Sequence, residues 1–149
     1  PRRSSDLPLP LAWLHAVLAT DPADVPPSPV DVHWVDLGMT RGVALSITDG
    51  ASLPDGRLVV TAVAEVTADS YADGPCIGAV VAVLDREGAV LERHELQPVS
   101  KIEGVQAELD GGKIRLSMVT DADDAKSPSC LLEVELPATA RARHESEQR

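Results

Sequence analysis

Phenylalanine is absent from this 149-residue sequence, and Trp13, Trp34 and Tyr71 are its only aromatic residues. An aromatic-centred interior is excluded, so Val, Leu, Ile and Ala must fill the core, and small β-branched packing favours strands over helices. Basic residues are scarce as well: 13 Lys and Arg stand against 24 Asp and Glu, a formal net charge of −11. Such a surface repels a phosphate backbone, which makes nucleic acid and anionic membranes poor partners. No apolar run reaches the length that crosses a bilayer, and the N-terminus lacks the basic, apolar and small-residue order of a secretory signal. A soluble, cytoplasmic protein is the expectation, with room for a removed upstream piece because the sequence opens on Pro1. His15, His33, His94 and His144 are scattered and show no zinc spacing.

What is present is an internal echo. Asp49-Gly50 leads through Asp55-Gly56 to Glu65, and Glu103-Gly104 leads through Asp110-Gly111 to Asp121. An offset of 54 separates Asp49 from Glu103 and also Cys76 from Cys130. Self-similarity at a fixed period marks a repeat architecture. An antiparallel hairpin returns the end of its second strand to the start of its first, so the four acids are expected at one edge. The two cysteines hold equivalent places in successive units, farther apart than a disulfide spans, and two free, part-buried thiols are expected.

Seven of the twelve prolines fall in residues 1–30, around one helical candidate from about Pro8 to Leu18 with Leu11, Leu14, Val17 and Leu18 on one face. Asp21 to Pro29 reads as a linker, and Val32 to Leu37 as a strand with Val32, Trp34 and Leu37 inward. From Gly42 onward strands and turns alternate at short intervals, without the amphipathic helices that parallel crossovers need. Strands are predicted at Ala44 to Leu53, Leu58 to Glu65, Ile77 to Leu84 and Ala89 to Leu96, then at Ile102 to Leu109, Lys113 to Thr120 and Cys130 to Leu136. The fold class is all-β: antiparallel four-stranded meanders as β-propeller blades, about two blades of an incomplete ring, with a short N-terminal helix. Residues 1–30 form a proline-rich segment, 31–137 the blades and 138–149 a polar tail without a candidate fourth strand. Because a ring needs at least about four blades, two units imply self-assembly or a missing portion.

The candidate chemistry lies at the acidic edge. Asp49, Glu65, Glu103 and Asp121, with loops rich in Asp69, Ser70, Tyr71, Asp73, Asp123 and Asp124, supply hard oxygen ligands that suit Ca²⁺ or Mg²⁺ better than zinc. Unless a cation or bound protons relieved them, these acids would repel one another. Capping of loop N–H groups is the alternative role for Asp before Gly, and the favoured one for Asp123 and Asp124 individually. Lys101, two residues before Glu103, lies on the same side of its strand and serves either as its ion-pair partner or as a substrate anchor. Tyr71 and Asp73 are candidate ligand contacts in the acidic loop.

The stretches Gly42 to Asp49, Leu53-Pro54-Asp55-Gly56, Ala62 to Glu65, Tyr71 to Pro75, Lys101 to Gly104 and Val119 to Asp124 resemble the C-terminal half of uncharacterised bacterial β-propeller proteins. These are similar in outline to phytase-like and lactonase-like propellers. The resemblance covers roughly Asp36 to Leu136. It implies a ring of blades with an acidic, calcium-binding channel mouth at Asp49, Glu65, Glu103 and Asp121; the region before Asp36 departs from that pattern.

Two functional classes follow. In the first, Ca²⁺ on the four acids polarises an ester, lactone or phosphoester oxygen and activates water for hydrolysis. In the second, a non-catalytic binding or scaffold propeller uses its acidic mouth for a cationic ligand or partner. A degenerate remnant without a function of its own is the third possibility.

Overall fold

A computed structural model describes residues 4–6, 11–19, 21, 24, 33–67, 74–121, 123, 124 and 126–138. The expected linker core, the loop residues Asp69, Ser70, Tyr71 and Asp73, and the tail beyond Ala138 lie outside the described residues. Strand β1 (Ser4–Asp6) pairs antiparallel with β2 (His33–Val35), and helix α1 (Leu11–Ala19) lies between them in sequence. A two-stranded ribbon follows, β3 (Met39–Thr40) with β4 (Val43–Ala44). Then come β5 (Ser46–Ser52), β6 (Leu58–Glu65), β7 (Cys76–Leu84) and β8 (Val90–Glu95), a four-stranded antiparallel meander in chain order. The meander of β9 (Ile102–Asp110), β10 (Lys113–Thr120) and β11 (Leu131–Pro137) has three strands.

Local chemistry explains the hairpins. Asp55 caps the β5–β6 turn through Arg57 N–H at 3.1 Å and pairs with the buried Arg57 guanidinium at 2.8 Å. Asp85 does the same at β7–β8, accepting from the N–H groups of Glu87 and Ala89. At the far end, Gly74 brings the chain against β6, where a Cβ would fall 1.6 Å from the carbonyl oxygen of Val66. No other residue fits that crossing.

Packing shows how the sheets are layered. Alternate residues point to opposite faces. Val59 on β6 and Val81 and Val83 on β7 meet Ile102, Ala107, Ile114, Leu116 and Met118 of the three-stranded sheet. The other face, with Val60, Ala62, Ala64, Val80, Ala82 and Leu84, is covered by Val35, Leu37 and Leu45. The four-stranded sheet is therefore apolar on both sides. The three-stranded sheet is not: β10 alternates strictly between exposed and buried residues, and its outer face carries Lys113, Arg115 and Ser117.

Four expectations need correction. Trp34, expected inward, is 62% exposed and its neighbour Val35 is buried against the sheet instead, while Leu37 is buried as expected and Val32 lies outside the described residues. The strand expected from Ala44 breaks at Leu45, whose side chain is buried and whose N–H bonds Gly38 O at 3.1 Å. In α1, Val17 of the predicted face is half-buried, as are Trp13 and Ala16, but Leu14 and Leu18, also expected on that face, are exposed. Both thiols are free, but Cys130 is exposed and only Cys76 is part-buried.

Candidate functional site

The echo survives in three dimensions with a one-residue slip. In β5 the register shifts between Ile47 and Asp49, leaving Thr48 as the extra residue of a β-bulge; in β9 it shifts opposite Val119 and Thr120, leaving Glu103 as the extra residue. Thr48 and Glu103 are thus the structural equivalents, and Asp49 corresponds to Gly104. Bulges re-aim side chains at strand ends. The slip separates Asp49 from Glu103 in role.

Asp49 sits inside β5, opposite Thr61. Its Oδ2 accepts the N–H of Val105 at 2.8 Å, tying β5 to β9 across the two sheets. Gly104 beside it makes room for Val119 on β10: a Cβ there would stand 2.8 Å from Val119 Cγ2, while Asp49 Oδ2 at 3.7 Å would be in ordinary contact. Asp49 therefore satisfies an edge N–H that has no strand beside it, a charge-assisted bond.

Glu65 and Glu103 converge on Lys101. The ammonium nitrogen lies 3.2 Å from Glu65 Oε1 and 3.5 Å from Glu103 Oε1, and it also pairs with Asp123. The Lys101 side chain is 11% exposed, against 19% for Glu65, 39% for Glu103 and 48% for Asp123. Glu65 Oε1 is buried and faces the ammonium without an aligned hydrogen bond. Asp121 stands apart. Its N–H bonds Lys101 O at 3.1 Å and its Oδ1 caps Asp123 N–H at 3.0 Å, which turns Asp123 toward Lys101.

Cys76, across from Glu65 in the β6–β7 ladder, borders the same cluster. Burial pushes its thiol up. A backbone hydrogen bond at Gly78 opposes this, Glu65 adds to it, Lys101 opposes it, and Glu103 adds a smaller increment. On the outer loop, Lys126 N–H and the Ser127 hydroxyl hold the exposed Asp124 carboxyl below its ordinary range. A cleft of about 510 Å³ opens beside Lys101, lined by Pro75, Cys76, Ser100, Thr120 and Asp123 among others.

Of the expected residues, Glu65, Glu103 and Lys101 are brought together, while Asp49 and Asp121 are engaged by backbone N–H groups. Tyr71 and Asp73 lie outside the described residues. Among the described residues no group of three or more His, Cys, Asp and Glu stands in an arrangement that could hold a metal ion. Asp123 enters the cluster from a loop 22 residues beyond Lys101, and its only signal in the sequence was its place in the acidic run.

Fold and site together define a mostly β protein of stacked antiparallel sheets with a lysine-centred carboxylate cluster at one edge. The chain belongs to a family of unknown function (DUF6910), whose model matches residues 4–125. Neither the curated proteins nor the solved structures contain a match. Among the described residues no helix is long and apolar enough to cross a membrane.

Proposed function

We propose that this chain is a non-catalytic binding or scaffold module of blade-like sheets, whose acidic mouth receives a cationic group. One observation carries the reading: Glu65, Glu103 and Asp123 converge on an ammonium ion, and that ion is the chain's own Lys101. The repulsion among the acids is relieved internally, so the mouth is organised before any ligand arrives. A small cationic ligand, or a lysine or arginine from a partner, would meet the outward oxygens of Glu103 and Asp123 across the cleft. Blade-like stacking fits the face-to-face meeting of the two meanders and the contact of their first strands through Asp49.

Calcium-dependent hydrolysis is a separate proposal, and one feature favours it: Glu65 Oε1 is a buried carboxylate oxygen with no aligned hydrogen bond. The four acids expected to hold the ion do not fit it as a set, because Asp49 and Asp121 are turned to N–H groups. Calcium titration of the melting temperature separates the readings. A ligand that binds only the folded state raises stability by about 2.7 kcal/mol at a hundred times its dissociation constant. The binding-module reading expects no calcium-specific rise in wild type beyond a magnesium control, and no metal-dependent turnover of esters, lactones or phosphoesters. A rise lost in Glu65→Gln, with turnover, would replace it by the hydrolase.

A further inference from the structure

The outer edge of the three-stranded sheet presents a row of backbone groups that no described strand pairs. In the four-stranded sheet the third strand, β7, is covered by β8. Among the described residues its counterpart β11 pairs with β10 alone. Hydrogen-bonded pairs alternate along an antiparallel ladder. Thr120 N–H bonds Cys130 O at 3.0 Å and Ala138 N–H bonds Gly112 O at 2.8 Å, so the even-numbered residues of β11 turn their backbone groups to β10. Leu131, Glu133 and Glu135 turn theirs outward, and Pro137, which has no N–H, closes the row.

The charge of this edge selects its occupant. Glu135 is paired with Lys113 and Arg115, and Arg115 also reaches Asp110 at 3.1 Å. Glu133 and Glu108 have no ion pair among the described residues, and both line a groove of about 510 Å³ on the same face. Four carboxylates against two cations leave the face acidic. Any antiparallel pairing of two β11 strands about Glu133, Val134 or Glu135 sets a glutamate opposite a glutamate, and directly opposed like charges destabilise a sheet. An alternating basic strand would instead place a cation beside each.

We propose that β11 is a strand-addition site for an extended segment of a partner protein carrying lysine or arginine at alternate positions, which completes the sheet as its fourth strand. Main-chain bonds supply affinity in such complexes and alternate side chains supply specificity. The inference is independent of the mouth.

The probe is a fluorescein-labelled, end-capped heptapeptide alternating valine and lysine (VKVKVKV), titrated with the full chain and read by anisotropy at low salt. Saturable binding is expected, at least about tenfold weaker in Glu133→Lys/Glu135→Lys because charge complementarity is reversed. In Glu133→Pro binding is lost while the melt is retained, since that N–H takes no part in the β10–β11 ladder and proline is tolerated on edge strands. The double lysine variant keeps the test decisive if Glu133→Pro does not fold. Absence of saturable binding, or equal binding of the glutamate counterpart (VEVEVEV), overturns the proposal. A wild-type mass of two chains that falls to one in Glu133→Pro overturns it in favour of a second copy. A rise in peptide affinity in Arg141→Glu/Arg143→Glu overturns it in favour of the chain's own C-terminal segment.

Discussion

Replacing Lys101 by Met keeps the aliphatic stem and removes only the ammonium ion, leaving Glu65, Glu103 and Asp123 as three like charges around an apolar tip. Removing one partner of a fully buried pair costs about 3–5 kcal/mol, whereas an exposed pair contributes about 0–1 kcal/mol. Glu65 belongs nearer the first class at 19% exposure, and Glu103 and Asp123 to the second. The expected loss is therefore about 2–3 kcal/mol, which at about 2–4 °C per kcal/mol for a chain of this size lowers the melting temperature by roughly 5–10 °C. Urea denaturation followed by circular dichroism measures it. Because the cost is mainly an uncompensated Glu65, adding Glu65→Gln should return about 1 kcal/mol, a coupling within the range seen for contacting charges. If Lys101→Met stays within about 0.5 kcal/mol of wild type, or the two changes are simply additive, Lys101 does not organise the mouth.

Further expectations are narrower. Met118→Ala or Leu116→Ala, each fully buried between the sheets, should cost about 2–5 kcal/mol by cavity formation, whereas Leu131→Ser at 68% exposure should cost under about 0.5 kcal/mol; thermal melts compare them. Asp49→Ala removes the acceptor of Val105 N–H and should cost about 1.5–3 kcal/mol, with hydrogen exchange of that amide accelerated as the local readout. Iodoacetamide at neutral pH should alkylate the exposed Cys130 well before Cys76, whose raised pKa and burial both suppress the thiolate. The sign of that shift also means that any stability tied to the protonated Cys76 thiol is present below its ordinary pKa and lost as pH rises through the raised value. Steeper alkaline destabilisation of wild type than of Cys76→Ala would show it.

The hairpins were the most legible part of the sequence because their signals are local. Asp-Gly turns marked the starts of β6 at Leu58 and of β10 at Lys113, and both strands lie where the sequence predicted them. Phase was harder. Nothing in Val32 to Leu37 says that a tryptophan should face water and Val35 the sheet, because that choice is made by the small-residue face of β6 and β7, more than twenty residues away. The site was legible in part: the pairing of Lys101 with Glu103 was expected from their two-residue spacing and is present, although Lys101 precedes β9 and Glu103 sits in a bulge, and Asp123 reaches them through a loop. The bulges at Thr48 and Glu103 escaped altogether, since a one-residue insertion in a ladder leaves no mark on a 54-residue offset.

The two sheets also differ in a way that bears on how far the stack extends. Leu58 to Ala64 and Ile77 to Leu84 read as near-continuous apolar runs, the pattern of strands buried on both faces, and the structure covers both of theirs. Lys113 to Thr120 alternates, the pattern of a sheet with one face in water, and its outer face holds ion pairs among Asp110, Lys113, Arg115 and Glu135. A further sheet packed there would have to desolvate those charges, which costs several kcal/mol per ion unless each is fully re-paired. Growth on that side is therefore opposed across the face and favoured only along the edge, where Leu131, Glu133 and Glu135 offer backbone groups that no described residue uses. The stacking direction and the strand-pairing direction thus carry opposite instructions on one sheet, which is what the proposed strand addition requires and a further layer does not meet.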